Sequence, residues 1–594
     1  MPSPIAVALL FFLVAAALFP SSSSQPVAPQ PRGFYINCGS DKEVQTGSVK
    51  WIQDDGFITV GNVSAINKPN LLPVLATLRY FPDKTARKYC YEVPVVKGAR
   101  YLVRTTYFYG GFDGGADPPV FDQIVDGTRW SAVNTTANFR RGMSTYFEVL
   151  AQAQGKALSV CLARRPDTAS SPFISSLEVV DLADSMYNTT DFGKYVLTTV
   201  ARSRFGSKPE IVSYPDDPYN RYWAPFTDGN PAVESHSPIT PDAFWNLPPA
   251  KALRAGVTAS RGKKLTVQWP PAELPAASYY VALYFQDSRT ASPFSWRVFD
   301  VAVNGQDFFR GLNASAAGVV VYSNMMQLAG KTEIVLTPNE TSPVGPLINA
   351  GEMYMIVPLG GRTATRDVVA MEELAGSFKN PPPDWAGDPC LPRNNSWTGV
   401  ECSEELPARV LSLDLKNHGL SGSLPDSIGN LTGMKTIYLS GNKLSGSIPD
   451  LSSMRTLTAL HLDGNQFNGT INPSMEKLAS LKELYLNNNN LTGQIPIGLK
   501  NKPGLDLRRP EEMVEQYHYL MGEVNVPHSY GSKQNRYLCI LDLGELSQTP
   551  GPPNRRRSHD CCVDDPASLL LLLGGKPNQE KKVTPSQHNQ WMKR

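Results

Sequence analysis

Hydrophobic and polar positions along the chain fall into three regimes. Ile5 to Phe19 is unbroken apolar sequence, followed by Pro20 and Ser21 to Ser24. As a helix that run would reach about 22 Å, short of the roughly 30 Å hydrocarbon core of a bilayer. The pattern predicts a cleaved secretory signal over residues 1–24, although no Lys or Arg precedes the apolar stretch. From Gly33 to about Leu359 no helical period persists. Short alternating runs take over (YCYEVPVV, ARYLVRTTYFY, ALSVCLA, LTVQW, SYYVALYFQD, WRVFDVAVNG, KTEIVLT), divided by Gly, Pro, Asn and Asp. This punctuation predicts antiparallel sandwich strands. The pattern occurs twice, giving lobes of about 33–205 and 210–359 in which ARYLVRTTYFY and SYYVALYFQD are equivalent strands.

The third regime is a repeat. From Arg409 the apolar positions Leu413, Ile437, Leu460 and Leu484 recur at intervals of 24, 23 and 24 residues. Four such copies over residues 408–507, with SGSLP, SGSIP and TGQIP after them, resemble the plant-type leucine-rich repeat. Each L-x-L predicts a short strand of a parallel sheet. Asn442, Asn465 and Asn489 stand where a buried amide satisfies backbone groups between repeats, and His418 replaces it in the first copy. A solenoid's first unit needs a cover. Residues 366–407 supply one, with Val368, Met371, Leu374 and Phe378 on one helical face, then WAGDPCLPRNNSWTGVEC from Trp385 to Cys402. Two Cys beside Trp385 and Trp397 resemble the disulfide-closed cap of plant leucine-rich repeats, which implies a Cys390–Cys402 bond.

Composition narrows the chemistry. Lys+Arg 56 against Asp+Glu 54 leaves +2, so no basic field exists to hold nucleic acid. Sequons at Asn62, Asn134, Asn188, Asn313, Asn339, Asn394, Asn430, Asn468 and Asn490 fit a glycosylated extracellular chain. The body holds Cys38, Cys90, Cys161, Cys390 and Cys402, without metal-ligand spacing. The expectation is two bridges and one buried thiol, no metal and no cofactor, with the pairing among Cys38, Cys90 and Cys161 open.

FYINCGS at the start, the linker YPDDPYNRYW, FDVAVNG in the second lobe and a GDPC cap before the repeats together resemble the plant malectin-like-domain leucine-rich-repeat receptor kinases, which include the symbiosis receptor-like kinases. The resemblance implies a mostly β fold: tandem malectin-like sandwich lobes (33–359), cap and solenoid, outside the cell. Family members continue into a transmembrane helix and a kinase. Here residues 508–594 contain no apolar run longer than Leu569 to Leu573 and no kinase motif, so an irregular tail is expected. The chain is therefore expected to be secreted or at the cell surface, as a truncated or spliced product or a soluble receptor.

No P-loop, HExxH or GxSxG is present, and the acidic pairs Asp54-Asp55 and Asp216-Asp217 read as solvated turns, so no enzyme is expected. Binding remains, with two candidate surfaces. The first is aromatic, with Tyr107, Phe108, Tyr109 and Asp113 in the first lobe and Tyr284 and Asp287 in the second, where rings would stack on sugars and carboxylates accept hydroxyls. The resemblance to animal malectin implies a glycan ligand there. The second is the concave face of the repeats, Asp414, Tyr438, His461 and Tyr485, suited to a peptide, a protein or the edge of a receptor-kinase co-receptor. A receptor for a peptide or protein, a cell-wall carbohydrate binder and an inhibitor of wall-degrading enzymes are the three functions this supports.

Overall fold

The computed structural model describes residues 30–509, except 116, 166–167, 169–170, 207–208, 236–238, 240–243, 288 and 290–295. The expected signal segment and the tail from residue 510 lie outside the described residues.

One large sheet runs through both lobes. Its strands lie in the order Val44–Thr46, Val49–Gln53, Gly33–Asn37, Ser176–Asp181, Arg100–Tyr107, Thr145–Gln152, Tyr195–Phe205, Ala350–Pro358, Leu274–Phe285 and Val319–Gly330. The lobes are thus fused edge to edge where Tyr195–Phe205 pairs antiparallel with Ala350–Pro358, from Tyr195 opposite Pro358 to Arg204 opposite Ala350. Each lobe closes with its own four-stranded sheet: Tyr89–Pro94, Ala157–Arg164, Val120–Val125 and Thr128–Asn134 in the first, and Leu265–Gln268, Glu333–Pro338, Val298–Val303 and Gln306–Asn313 in the second. Aromatic and β-branched side chains from the facing sheets fill the two cores.

The shared sheet carries charge where a sandwich normally carries hydrocarbon. Arg104 pairs with Glu148 at 2.5 Å and Glu178 at 2.7 Å, and Arg202 bridges Glu148 and Glu352, both at 2.9 Å. Every one of these side chains is at most 1% exposed. Burial pushes the Glu148 carboxyl up, but Arg202 and Arg104 outweigh it and hold the group below its usual range. Removing one member of such a network strands a buried charge, which costs about 3–5 kcal/mol.

The acidic pairs expected in solvated turns are split by the fold. Asp54 is fully buried, accepts from Arg79 Nε at 2.6 Å and Nη2 at 2.8 Å, and takes the Tyr91 hydroxyl and the Gly39 N–H. Asp217 is likewise buried against Arg221 and the Trp223 indole. Only Asp55 and Asp216 are exposed. A carboxylate enters a sandwich core only with a cation and donors around it, and each of these has them.

Two disulfides form, Cys90–Cys161 and Cys390–Cys402, and Cys38 is a buried free thiol. The first bond is the platform on which the cap rests. Gly387 of the GDPC turn has φ +70°, and a Cβ there would lie 3.1 Å from Cys90 Sγ and 3.3 Å from Cys161 Sγ. Beside it the buried Lys88 ammonium donates to the carbonyls of Asp388 at 2.5 Å and Leu391 at 2.8 Å. The loss of hydration pushes that amine down to about 8. The neighbouring Glu92 carboxyl is pushed up by burial and by Asp126 to about 8.

In the cap, helix Thr365–Ser377 buries Ala370, Met371 and Leu374 on the solenoid, and Trp385 stacks on Trp397 with centroids 5.2 Å apart. The solenoid sheet then runs Val400–Cys402, Val410–Asp414, Thr436–Tyr438, Ala459–His461, Glu483–Tyr485 and Asp506–Arg508. The last strand extends the expected four repeats. A three-residue strand needs one apolar centre, and Leu507 provides it, paired with Leu484. The asparagine ladder holds. Asn465 accepts from Leu444 N–H at 3.0 Å and donates to the Leu439 and Leu462 carbonyls at 2.9 and 3.1 Å. His418 faces solvent, its Nδ1 2.9 Å from the Lys416 carbonyl. A second parallel sheet, Ser421–Gly422, Lys443–Ser447, Gln466–Thr470 and Asn490–Thr492, forms one flank.

Candidate functional site

The concave face follows from alternation. In each three-residue strand the central Leu or Ile enters the core and the residues on either side of it face outward. Register sets Asp414 beside Tyr438, then His461, Tyr485 and Arg508 on successive strands. Their side chains meet. The His461 ring lies 3.9 Å from Tyr485, nearly parallel at 13°, and 4.7 Å from Tyr438. Lys416 Nζ sits 3.9 Å over the Tyr438 ring and the Arg508 guanidinium 3.9 Å over Tyr485. The stripe therefore reads Lys416, Tyr438, His461, Tyr485, Arg508, three rings capped at each end by a cation. Five strands at the usual spacing make it about 19 Å long.

Acidic groups fix its rings. Glu483 Oε2 lies 2.9 Å from His461 Nε2, and Asp506 accepts the Tyr485 hydroxyl at 2.7 Å. That hydrogen bond is the main cause raising the Tyr485 phenol, while burial does the same for Tyr438. Half-buried, pre-positioned rings lose little rotamer entropy when a partner arrives. All nine sequon asparagines are exposed, and none lies on this stripe. Asn468 and Asn490 are register partners on the flank sheet instead.

Of the expected residues here, Asp414, Tyr438, His461 and Tyr485 are brought together. Arg508 was missed as part of the tail. A signal existed, because Leu507 lies 507 − 484 = 23 residues after Leu484, within the repeat interval.

The aromatic residues of the sandwich lobes are placed differently. Tyr107 is fully buried among Phe121, Phe147 and Phe173, and its hydroxyl donates to Gln123 at 2.8 Å. Tyr109 packs on Phe112, Phe139 and Phe173 and gives its hydroxyl to Asp113. Tyr284 is buried with its hydroxyl 2.6 Å from Glu352. Asp287 is clamped by Arg289 and Arg297, each at 2.6 Å. Burial pushes its carboxyl up, but the two guanidiniums outweigh that and hold it below the ordinary range. Tyr107, Tyr109 and Tyr284 are thus buried among other rings, and Asp287 is held between two guanidiniums. Phe108 is buried too, at 4% exposure, with only an edge at a cleft of about 430 Å³ that also touches Phe112 of the following turn. Asp113 is exposed at that turn, accepting the Gly115 N–H at 3.2 Å.

Among the described residues no cluster of His, Cys, Asp and Glu forms a metal site, and no helix is long and apolar enough to cross a membrane.

The malectin-like domain model matches residues 36–356, and the leucine-rich-repeat model matches residues 433–453 and 480–502. Similar curated proteins include two from Arabidopsis thaliana. "Probable LRR receptor-like serine/threonine-protein kinase PAM74" is 30% identical over 452 residues, covering 72% of this chain and 49% of that protein. "Probable LRR receptor-like serine/threonine-protein kinase MEE39" is 30% identical over 404 residues, covering 66% and 44%. The chain thus spans about half the length of the curated relatives it matches. Among solved structures it is similar to the ANX2 ectodomain of Arabidopsis thaliana, with TM-score 0.47, 16% identity, and coverage of 55% of this chain and 97% of that one.

Proposed function

Because the chain belongs to the malectin-like-domain leucine-rich-repeat receptor family, we propose that it is the non-catalytic, extracellular ligand-binding part of such a receptor, and that it captures a peptide or protein segment on the concave stripe of its repeats. One observation carries this reading. Tyr438, His461 and Tyr485 form a continuous ring surface between Lys416 and Arg508, held by Glu483 and Asp506 and free of sequons. Tyrosine and arginine dominate the energetics of protein recognition, because they offer large, rigid, amphipathic contact area. A length of about 19 Å matches an extended segment of roughly six residues. The face is too small for a large independent partner, so the sandwich lobes or a co-receptor would supply further contact.

The test is capture by the immobilised, glycosylated chain of secreted plant peptides and small proteins, read by mass spectrometry. A partner held by the unaltered chain is expected to be lost with Tyr438→Ala plus Tyr485→Ala, since truncating hot-spot tyrosines costs about 2 kcal/mol or more apiece. Capture unchanged in the double variant would remove the proposal.

A further inference from the structure

At the outer edge of the second lobe three rings stand in a row. Strand Val319–Gly330 ends the shared sheet, pairing with Leu274–Phe285 on one side, and among the described residues no strand pairs with its other side. Tyr322 on that strand stacks on the buried Tyr280 at 6.3 Å and 17°, and Trp245 stacks on Tyr322 at 5.9 Å and 14°. Trp245 is 39% exposed, Tyr322 40%, and Met325 on the same strand 45%. An apolar patch at the open edge of a sheet invites pairing with another chain unless something covers it.

A cover is rooted beside it. Asn188 opens the sequon Asn188-Thr189-Thr190, and its side chain is exposed. The backbone on either side of it is pinned to the patch. The Tyr187 N–H donates to Asn246 Oδ1 at 2.8 Å, and Asn246 follows Trp245 in the chain. Asn246 Nδ2 in turn donates to the Tyr280 hydroxyl at 2.8 Å. On the other side the Thr189 carbonyl accepts from Asn324 Nδ2 at 3.1 Å, two residues along the edge strand from Tyr322. Tyr187 holds left-handed backbone at φ 52°, a conformation a bulky residue keeps only where its surroundings fix it. These short steps leave the Asn188 and Trp245 Cα atoms no more than about 15 Å apart, within reach of an asparagine that carries two sugars.

An N-linked stem begins with N-acetylglucosamine, whose ring presents a face of C–H groups. Those weakly positive hydrogens suit the negative face of an indole or phenol, while the hydroxyls stay in water. A bulky glycan in this place would also obstruct an added strand or a second copy of the chain. We propose that the glycan on Asn188 lies on Trp245 and Tyr322 and closes the free edge of the second lobe. The inference uses nothing of the repeat stripe, so it stands or falls apart from the function proposed there.

Hydroxyl-radical footprinting of the secreted, glycosylated chain, read by peptide mass spectrometry, tests this. Mapping should find Asn188 occupied. Trp245 and Tyr322 should oxidise about three-fold slower in the unaltered chain than in Asn188→Gln, as a cover in place about two-thirds of the time gives. Thr190→Ala removes the sequon but keeps the asparagine, and it should match Asn188→Gln. Asn468→Gln, on the repeat flank, should change neither rate. A bare Asn188 or equal rates with and without its sequon would overturn the proposal. So would protection that persists in Asn188→Gln and rises with protein concentration, which would identify a second copy as the cover.

Discussion

Replacing Asn465 by alanine tests how the solenoid holds its concave face in register. The Asn465 amide makes one bond that nothing else replaces, accepting from the Leu444 N–H at 3.0 Å. Its Nδ2 donates to the Leu439, Leu462 and Asp463 carbonyls, which keep the Asn442 amide, the Asn489 amide and the Gly441 N–H as their other donors. The loss is therefore one orphaned buried N–H, about 1–3 kcal/mol, plus about 0.5–1.5 kcal/mol for a net hydrogen bond. Together this predicts a local destabilisation of about 1.5–4.5 kcal/mol, or a drop of at least about 10-fold in amide-exchange protection where the Leu444 N–H is read. Asn465→Asp sharpens the test. It keeps the acceptor but turns both donors into carboxylate oxygen facing carbonyls, so it should destabilise at least as much. Protection at Leu444 within about 0.5 kcal/mol of the unaltered chain in Asn465→Ala would refute the ladder reasoning. So would an aspartate variant that behaves like the asparagine.

Other predictions concern the joint and the buried network. Glu92 keeps in the folded chain a proton that the unfolded chain releases near 4.5, because its folded value is pushed up to about 8. Relative to Glu92→Gln, stability should therefore fall by roughly 4–5 kcal/mol as pH rises from about 4.5 to about 8, read as midpoints of urea unfolding; parallel pH profiles would contradict it. Lys88 runs the other way in a higher window: its folded value lies near 8 against an ordinary 10.5, so its share of stability should grow between those pH values and vanish in Lys88→Met. Gly387→Val places a branched side chain in the left-handed backbone region and against the Cys90–Cys161 sulfurs, and limited proteolysis should then cut near residue 387 at least ten times faster, by about 1.4 kcal/mol or more of strain. Arg202→Met should cost about 3–5 kcal/mol by leaving Glu148 with Arg104 as its one cation and Glu352 with tyrosine hydroxyls and Arg221 at 4.0 Å, and a thermal midpoint that does not move would contradict the network's role.

Local periodicity made much of the fold legible in the sequence. Leu413, Ile437, Leu460 and Leu484 announced the parallel sheet because each repeat packs on its sequence neighbour. The outward set Tyr438, His461 and Tyr485 followed from the same alternation. What stayed hidden rests on long sequence separation. Asp54 looked like a turn residue because its partner Arg79 stands on another strand, and Lys88 gave no sign of the cap carbonyls some 300 positions away. The first-lobe aromatics were read as a ligand grip since composition cannot tell an inward ring from an outward one when both faces of a strand carry Tyr and Phe. The cleft was invisible for a related reason. Its lining comes from three separate stretches, residues 64–68, 108–112 and 139–142.

The most direct test of the account is a photo-crosslinking residue, p-benzoylphenylalanine, placed at Ser440 beside the stripe and, as a control, at Asn468 on the flank sheet. Exposed to the secreted peptide and protein fraction, the glycosylated chain should yield a defined adduct from position 440 that disappears with Tyr438→Ala plus Tyr485→Ala. Adducts from position 468 alone, or a position-440 adduct that persists in the double variant, would show that the concave stripe is not where this receptor family member takes its ligand.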